Sequence, residues 1–382
     1  MKGLQNVILH FTMLLGFLLL TGCEPESLLN DETVNIPAEA GGLVAVERDG
    51  NDYRVLYRST DVNRESMLVS GTVIVPTAPW EGAGPRPLVV IAPGTHGGGD
   101  ECAPSHQRQL GIDFETPFHE QFVDAGFVVA VTDYQGLGTP GRHTYTVAFP
   151  SAAALLDIAR VAINLPATNL NANTPIVLSG YSQGGHASAK AVEIENTYAP
   201  ELNIVGATAG GVPSNLISVG ENLDGGLFAG FVGLTAIGMD TAYPELDLDS
   251  YLTAEGKTLI KKLESTCLIG TIANATLFKI GDETTSNPLE TEQWQARLNE
   301  QRVGLVKPEV PVFLFHARLD PIIPYKLGTT LRDDWCARGA QVEWETYFAA
   351  EHMLAFFWSF NDVLDWATDR VNGVTMTADD CG

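Results

Sequence analysis

Short apolar runs alternate along this chain with stretches whose apolar positions recur every three or four residues. Met67–Pro76 sets Val69, Val73 and Val75 on one face against Ser70 and Thr72 on the other, the period of a half-buried strand, and Tyr53–Arg58 is a second β-like run. A turn-rich stretch, 77–85, separates them from Pro87–Ala92, an unbroken apolar strand; Phe127–Thr132 and Ile176–Ser179 follow in the same manner. Helical patterns lie between them at His119–Ala125 and Ser151–Asn164, the second with Ser151 as expected cap and Pro166 as stop. Buried strands alternating with helices predict an α/β protein with a mostly parallel central sheet, helices on both faces and right-handed crossovers.

Two further strands, Ile204–Ala209 and Val312–His316, are separated by about a hundred residues, far more than one crossover needs. The interval holds helical patterns at Leu216–Glu221, Leu227–Ile237, Ser250–Lys262 and Glu290–Val303. Residues 213–304 are therefore expected to form an inserted helical cap or lid, with residues 41–212 and 305–382 as the core. A last unit is expected from a helix at Tyr325–Ala337, an alternating strand at Gln341–Tyr347 and a terminal helix at His352–Val371.

The N-terminus follows other rules. Lys2, an apolar run from Val7 to Leu20 and then Leu20-Thr21-Gly22-Cys23 predict a signal peptide over residues 1–22, too short for a permanent span. Leu20 to Cys23 resembles a bacterial lipobox, in which the Cys23 thiol is acylated before cleavage. Residues 23–40, polar and with Pro25 and Pro37, then read as a tether, which places the protein outside the cytoplasm, lipid-anchored to the bacterial envelope at the outer membrane or cell surface.

Composition sharpens this reading. Hydrophobic residues at 45% and charged residues at 18% allow a sizeable core. A net charge of −25 repels phosphate backbones, so nucleic acid is not an expected partner. Without Cys23, four cysteines remain: Cys102, Cys267, Cys336 and Cys381. An even number in an exported chain suggests two disulfides, with three connectivities open. No ligand spacing of the CxxC or HExxH kind occurs, so neither metal nor cofactor is expected, and the chain is taken as a monomer.

Gly180-Tyr181-Ser182-Gln183-Gly184 matches GxSxG, and it sits between strand-like Pro175–Ser179 and a small-residue helical run from Gly185. That is the context of a nucleophile elbow, a sharp strand-to-helix turn that holds its serine in strained backbone angles. A serine hydroxyl needs a base, and in this arrangement the order is Ser, acid, His. Only His186, His316 and His352 follow Ser182. His186 lies four residues along the helix and should pack inward, and His316 ends a strand, whereas His352 lies beyond Asp320, the expected acid just past the strand Val312–His316. Glu351 is the rival acid, but neighbours in a chain usually point apart. Backbone N–H groups of Gln183 and of the loop Pro93–Gly99 would form the oxyanion hole, with Thr95 the expected donor and His96 the neighbouring possibility.

On these residues the chain resembles the fungal-type secretory lipase family, which has bacterial members. The resemblance rests on Pro93-Gly94-Thr95 with Cys102-Ala103-Pro104-Ser105, on Thr132-Asp133-Tyr134-Gln135-Gly136-Leu137-Gly138, on Gly180-Tyr181-Ser182-Gln183-Gly184-Gly185-His186, and on Asp320 and His352 in order. It covers roughly residues 50–382, and its blocks together are far more specific than GxSxG alone. It implies an α/β-hydrolase fold, a helical cap over an acyl pocket, hydrolysis of acylglycerols or simpler carboxylic esters, and the disulfide pairs Cys102–Cys267 and Cys336–Cys381. Pro93 departs from the His that many relatives carry there, and the lipobox departs from free secretion. A short-chain, polysaccharide-acyl or polyester esterase would use the same residues; a serine peptidase or a catalytically dead binding lipoprotein is the competing class.

Overall fold

The computed structural model describes residues 39–376 and 379–381. The expected signal peptide, the lipidation site Cys23 and all but the end of the tether lie outside the described residues. Nine strands among those described build one sheet: β1 Leu43–Asp49, β2 Asp52–Thr60, β3 Ser66–Ile74, β4 Leu88–Ala92, β5 Val128–Thr132, β6 Ile176–Tyr181, β7 Ile204–Gly210, β8 Val312–Ala317 and β9 Val342–Tyr347. Their order is β1-β2-β3-β5-β4-β6-β7-β8-β9. The first three pair antiparallel and β3 meets β5 antiparallel, but from β5 to β9 every pairing is parallel.

The unbroken apolar runs are explained by burial on both faces. In β4, Leu88, Val90 and Ala92 pack into one core and Val89 and Ile91 into the other. The first core is covered by α3 (Ala148–Asn164), α4 (Gln183–Tyr198) and α12 (Tyr325–Cys336), the second by α2 (Thr116–Asp124), α13 (His352–Trp358) and α14 (Phe360–Val371). A short α1 (Pro104–Gln109) precedes α2. Trp335 is fully buried in the first core and donates its indole N–H to Glu193 at 3.1 Å. Its loss to Ala should cost about 3–5 kcal/mol.

Between β7 and β8 the chain folds into α5 (Leu216–Leu223), α6 (Gly230–Ala242), α7 (Leu248–Tyr251), α8 (Ala254–Leu263), α9 (Leu268–Ala275), α10 (Ile280–Glu283) and α11 (Glu292–Glu300). These helices have their own two small apolar clusters, one around Phe231, Leu234 and Leu263 and one around Met239, Trp294 and Leu298. Cys102 is bonded to Cys267 at the start of α9, and Cys336 to Cys381 near the C-terminus. The return to the sheet is fixed by the Glu193 carboxylate, which accepts the N–H groups of Gly304 and Leu305 at 2.7 and 3.0 Å.

Three local expectations need correction. Strand β1 has no counterpart in the sequence reading, because this half-exposed edge strand lacks a clean apolar alternation. Helix α3 starts at Ala148, so Ser151 lies inside its first turn and Val147 takes the cap position. The expected single terminal helix is two, α13 and α14, divided at Ser359. The Ser359 hydroxyl donates to the Phe356 carbonyl at 2.8 Å, which offers the backbone an alternative to a continuous ladder. Among the described residues no helix is long and apolar enough to cross a membrane.

Candidate active site

The carboxyl ends of β4, β6, β8 and β9 carry Thr95, Ser182, Gln183, Asp320 and His352, as expected where strands of an open α/β sheet deliver their loops. Ser182 follows β6 and precedes α4 with φ 59° and ψ −119°, a strained conformation for a residue with a Cβ. The turn is held by the Ser182 N–H donating to the Gly210 carbonyl at 2.9 Å. It also requires its glycines: a Cβ on Gly184 would stand 1.9 Å from the Ala92 carbonyl oxygen, and one on Gly180 2.1 Å from that of Gly184. The close approach at Gly184 seats the head of α4 against the end of β4 and the carbonyl of Pro93.

Asp320 lies three residues past β8 and His352 opens α13. His352 Nδ1 and Asp320 Oδ2 are 2.6 Å apart, with the carboxylate fully buried. Although burial pushes the Asp320 carboxyl up, the charges and hydrogen bonds of His352 and His316 hold it well below the usual range, so it stays ionised. Its other oxygen accepts the N–H groups of Ile322 and Ile323, both at 2.8 Å, which fixes its plane. His352 is oriented further by Tyr181, whose hydroxyl donates to the His352 carbonyl at 2.6 Å and whose ring packs 4.9 Å from the imidazole. A Cβ on Gly211 would reach within 3.2 Å of His352 Cε1, which places the imidazole beside the segment that anchors Ser182. No hydrogen bond joins Ser182 Oγ to His352 among the described residues; such contacts often tighten only when substrate binds.

The other candidates fall elsewhere. His316 lies behind the acid, Nε2 bonded to the Ile323 carbonyl at 3.0 Å and 3.4 Å from Asp320 Oδ2. His186 is buried on α4 against the Gln301 carbonyl at 2.7 Å, its pKa lowered by burial to about 4. Glu351 caps α13, accepting the N–H groups of Met353 and Leu354.

Of the two expected oxyanion donors, the Gln183 N–H heads α4, where no intrahelical acceptor exists. Thr95 is buried, its hydroxyl paired with Tyr145 at 2.8 Å. The Gln183 side chain is held by His143. That ring's Nδ1 donates to the Gln135 carbonyl at 2.8 Å, so its Nε2 accepts from the Gln183 amide at 3.0 Å. Burial lowers His143 to about 4 and keeps it neutral. Tyr181, Tyr145 and His143 were not singled out from the sequence, since nothing in their spacing marks these long-range contacts. Asp133 is likewise structural: its buried carboxylate accepts from Ser70, from Ser105 Oγ and from Ser105 N at 2.5–2.8 Å, joining two of the sequence blocks. Among the described residues the close group Glu101, Cys102 and Cys267 has metal-like proximity, but its sulfurs form the disulfide.

Ser182 and Gln183 lie at the edge of an apolar cavity that runs into the helical insertion, walled by Leu216, Val219, Leu223, Phe231, Val232 and Leu298 among others. This sheet, elbow and cavity define an α/β hydrolase, here a carboxylic-ester hydrolase. A family model described as secretory lipase matches residues 103–379, and the chain belongs to that family. It is similar to a secreted triacylglycerol lipase of Malassezia globosa, 30% identical over 359 residues that span 89% of this chain and 74% of the relative. It is also similar to lipase A of Moesziomyces aphidis, 28% identical over 366 residues, 88% of this chain and 76% of the relative. The solved structure of Candida antarctica lipase A superposes with a TM-score of 0.80 and 25% identity, covering 89% of this chain and 84% of that one. A mutant of the rice cell wall degrading esterase LipA from Xanthomonas oryzae shares the fold, TM-score 0.74 and 20% identity, over 87% of this chain and all of that one.

Proposed function

We propose that this enzyme cleaves acylglycerols or related acyl esters through an acyl-enzyme on Ser182. His352 takes the Ser182 proton as attack begins and returns it to the leaving alcohol; Asp320 holds the imidazole in the tautomer whose Nε2 faces the serine and stabilises the imidazolium. The N–H groups of Gln183 and Thr95 receive the developing oxyanion. The acyl chain enters the apolar cavity, and residues 213–304 act as the cap that walls it. The cavity beside Ser182 is the single observation that carries this reading, because its lining offers a hydrocarbon chain contact along its length and offers a peptide few partners. Similarity to secreted triacylglycerol lipases supports the same substrate class.

The test is a rate profile of purified enzyme on nitrophenyl esters from acetate to palmitate. A maximum at eight carbons or longer supports the lipase reading; a steady fall beyond butyrate would replace it with a short-chain, polysaccharide-acyl or polyester esterase. Localisation has its own test. The Leu20–Cys23 sequence supports export and lipid anchoring, and the enzyme is read as a monomer. Cys23→Ser should then move activity from the membrane fraction to the soluble one, with the sedimentation of a single chain.

A further inference from the structure

Beneath the loop Pro93–Gly99 lies a second buried histidine–aspartate pair that the reaction described above does not use. His96 Nε2 is 3.1 Å from Asp113 Oδ1, and His96 Nδ1 is 3.0 Å from the Gly94 carbonyl oxygen. The same Asp113 oxygen accepts the Glu115 N–H at 3.0 Å, and the Glu115 carboxylate accepts the Gly94 N–H at 3.1 and 3.3 Å. The four groups close a ring: Gly94 N–H to Glu115, Glu115 N–H to Asp113, His96 to Asp113, and His96 back to Gly94 O. The ring is sealed from solvent. His96, Asp113 and Glu115 are 2%, 6% and 4% exposed, Phe114 stacks on the imidazole at 4.9 Å, and the Tyr134 hydroxyl donates to the Pro93 carbonyl at 2.9 Å.

Resting on the reading of Thr95 as an oxyanion donor, we propose that His96 and Glu115 are positioning residues that orient the Thr95 N–H toward the reacting acyl oxygen. The reason is covalent. The Gly94 carbonyl and the Thr95 N–H belong to one planar peptide unit and point in opposite directions, so a hydrogen bond that fixes the carbonyl fixes the N–H as well. Glu115 fixes the preceding unit by holding Gly94 N–H, leaving the donor-bearing peptide no freedom to flip. Both oxygens that His96 contacts are acceptors, so both ring nitrogens donate and the ring is an imidazolium. Consistently, although burial opposes the charge, the hydrogen bond to Asp113 and the nearby Glu115 carboxyl raise the His96 pKa. The titratable groups facing His96 are Asp113 and Glu115 from the loop before α2, His119 from α2, and His143 beyond β5.

The experiment compares two pairs of variants by kcat and KM on a soluble nitrophenyl ester, with thermal melting to establish that each is folded. His96→Ala should lower kcat on the order of 10–100-fold with KM little changed, since a misdirected donor weakens the transition state and not ground-state binding. His96→Asn, whose amide N–H can take the place of Nδ1, should recover most of that loss. Glu115→Ala should fall as His96→Ala does, and Glu115→Gln, which keeps an acceptor for Gly94 N–H, should stay within about threefold of the parent. Folded alanine variants with unchanged kcat would overturn the proposal, as would losses that asparagine and glutamine fail to rescue. If His96→Ala does not fold, the Glu115 pair decides alone. Ser182→Ala in the same assay separates the two levels: retained hydrolysis there refutes the nucleophile, whereas an inactive Ser182→Ala beside a fully active His96→Ala refutes only the positioning network.

Discussion

Two buried histidine–aspartate pairs flank the same serine. In the pair at the ends of β8 and β9, His352 gives Nδ1 to Asp320 at 2.6 Å, and its Nε2 has no partner among the described residues. In the pair at the loop Pro93–Gly99, His96 gives both nitrogens away, to Asp113 and to a backbone carbonyl. The residues and the burial are alike; the free nitrogen is the difference. A ring with one nitrogen uncommitted can take a proton and return it, whereas one with both committed as donors can only hold what it touches. Such a pair therefore reads as proton-transfer chemistry only where the surrounding backbone leaves an acceptor open.

This contrast can be broken at several points. Ser182→Ala should lower nitrophenyl ester hydrolysis by about 10⁴-fold or more, with the protein still folded, and full retained activity would end the mechanism. Asp320→Asn should cost kcat on the order of 10³–10⁴-fold, because the amide can hold the wrong tautomer of His352; Asp113→Asn should cost on the order of tenfold, since its histidine transfers no proton. Equal losses at the two aspartates would erase the distinction between the two pairs.

A sharper difference lies in the pH dependence of stability. Burial raises Glu115 to about 7 from its ordinary 4.5. Between those values the folded protein keeps a proton that the unfolded chain has lost, so stability falls as pH rises through that window and stays reduced above it. Glu115→Gln cannot ionise, so relative to the parent it should gain about 2–3 kcal/mol between pH 4 and pH 8, measured by urea unfolding. The sign is opposite at Asp320, whose folded pKa is depressed: its contribution is present above the ordinary carboxylate range and lost on acidification. A last effect belongs to a site touching neither pair. Val219→Trp in the cavity wall should lower the palmitate-to-acetate rate ratio by about tenfold and leave acetate hydrolysis nearly as it was.

What could be read in advance follows from range. The elbow at Gly180–Gly184 is five consecutive residues whose steric demands are local, so Ser182 and the candidate donor Gln183 are marked by composition and by the strand before them. Asp320 and His352 are marked by chain order and by the ends of two strands. The parallel sheet is equally legible, because strands covered on both faces must be apolar throughout, as β4, β5 and β6 are. The roles of Glu115, Tyr181, His143 and Tyr145 had no such mark. Each acts by hydrogen bonding to a residue 21 to 171 positions away.

The amino-acid sequence by itself thus determined the architecture, and it pointed to Ser182, Asp320 and His352 in that order as the catalytic candidates, since backbone sterics and hydrophobic periodicity act over a few residues. Only the tertiary structure decided which of His96 and His352 keeps a nitrogen free and what the glycines of the loop Pro93–Gly99 serve. Gly97 and Gly98 pair with the backbone at Thr266 and Cys267 on the insertion, and Gly94 sits inside a ring closed by Asp113 and Glu115. Hydrogen-bond partners across the fold are chosen by geometry to within a few tenths of an ångström, and a linear pattern of residue types carries no such information.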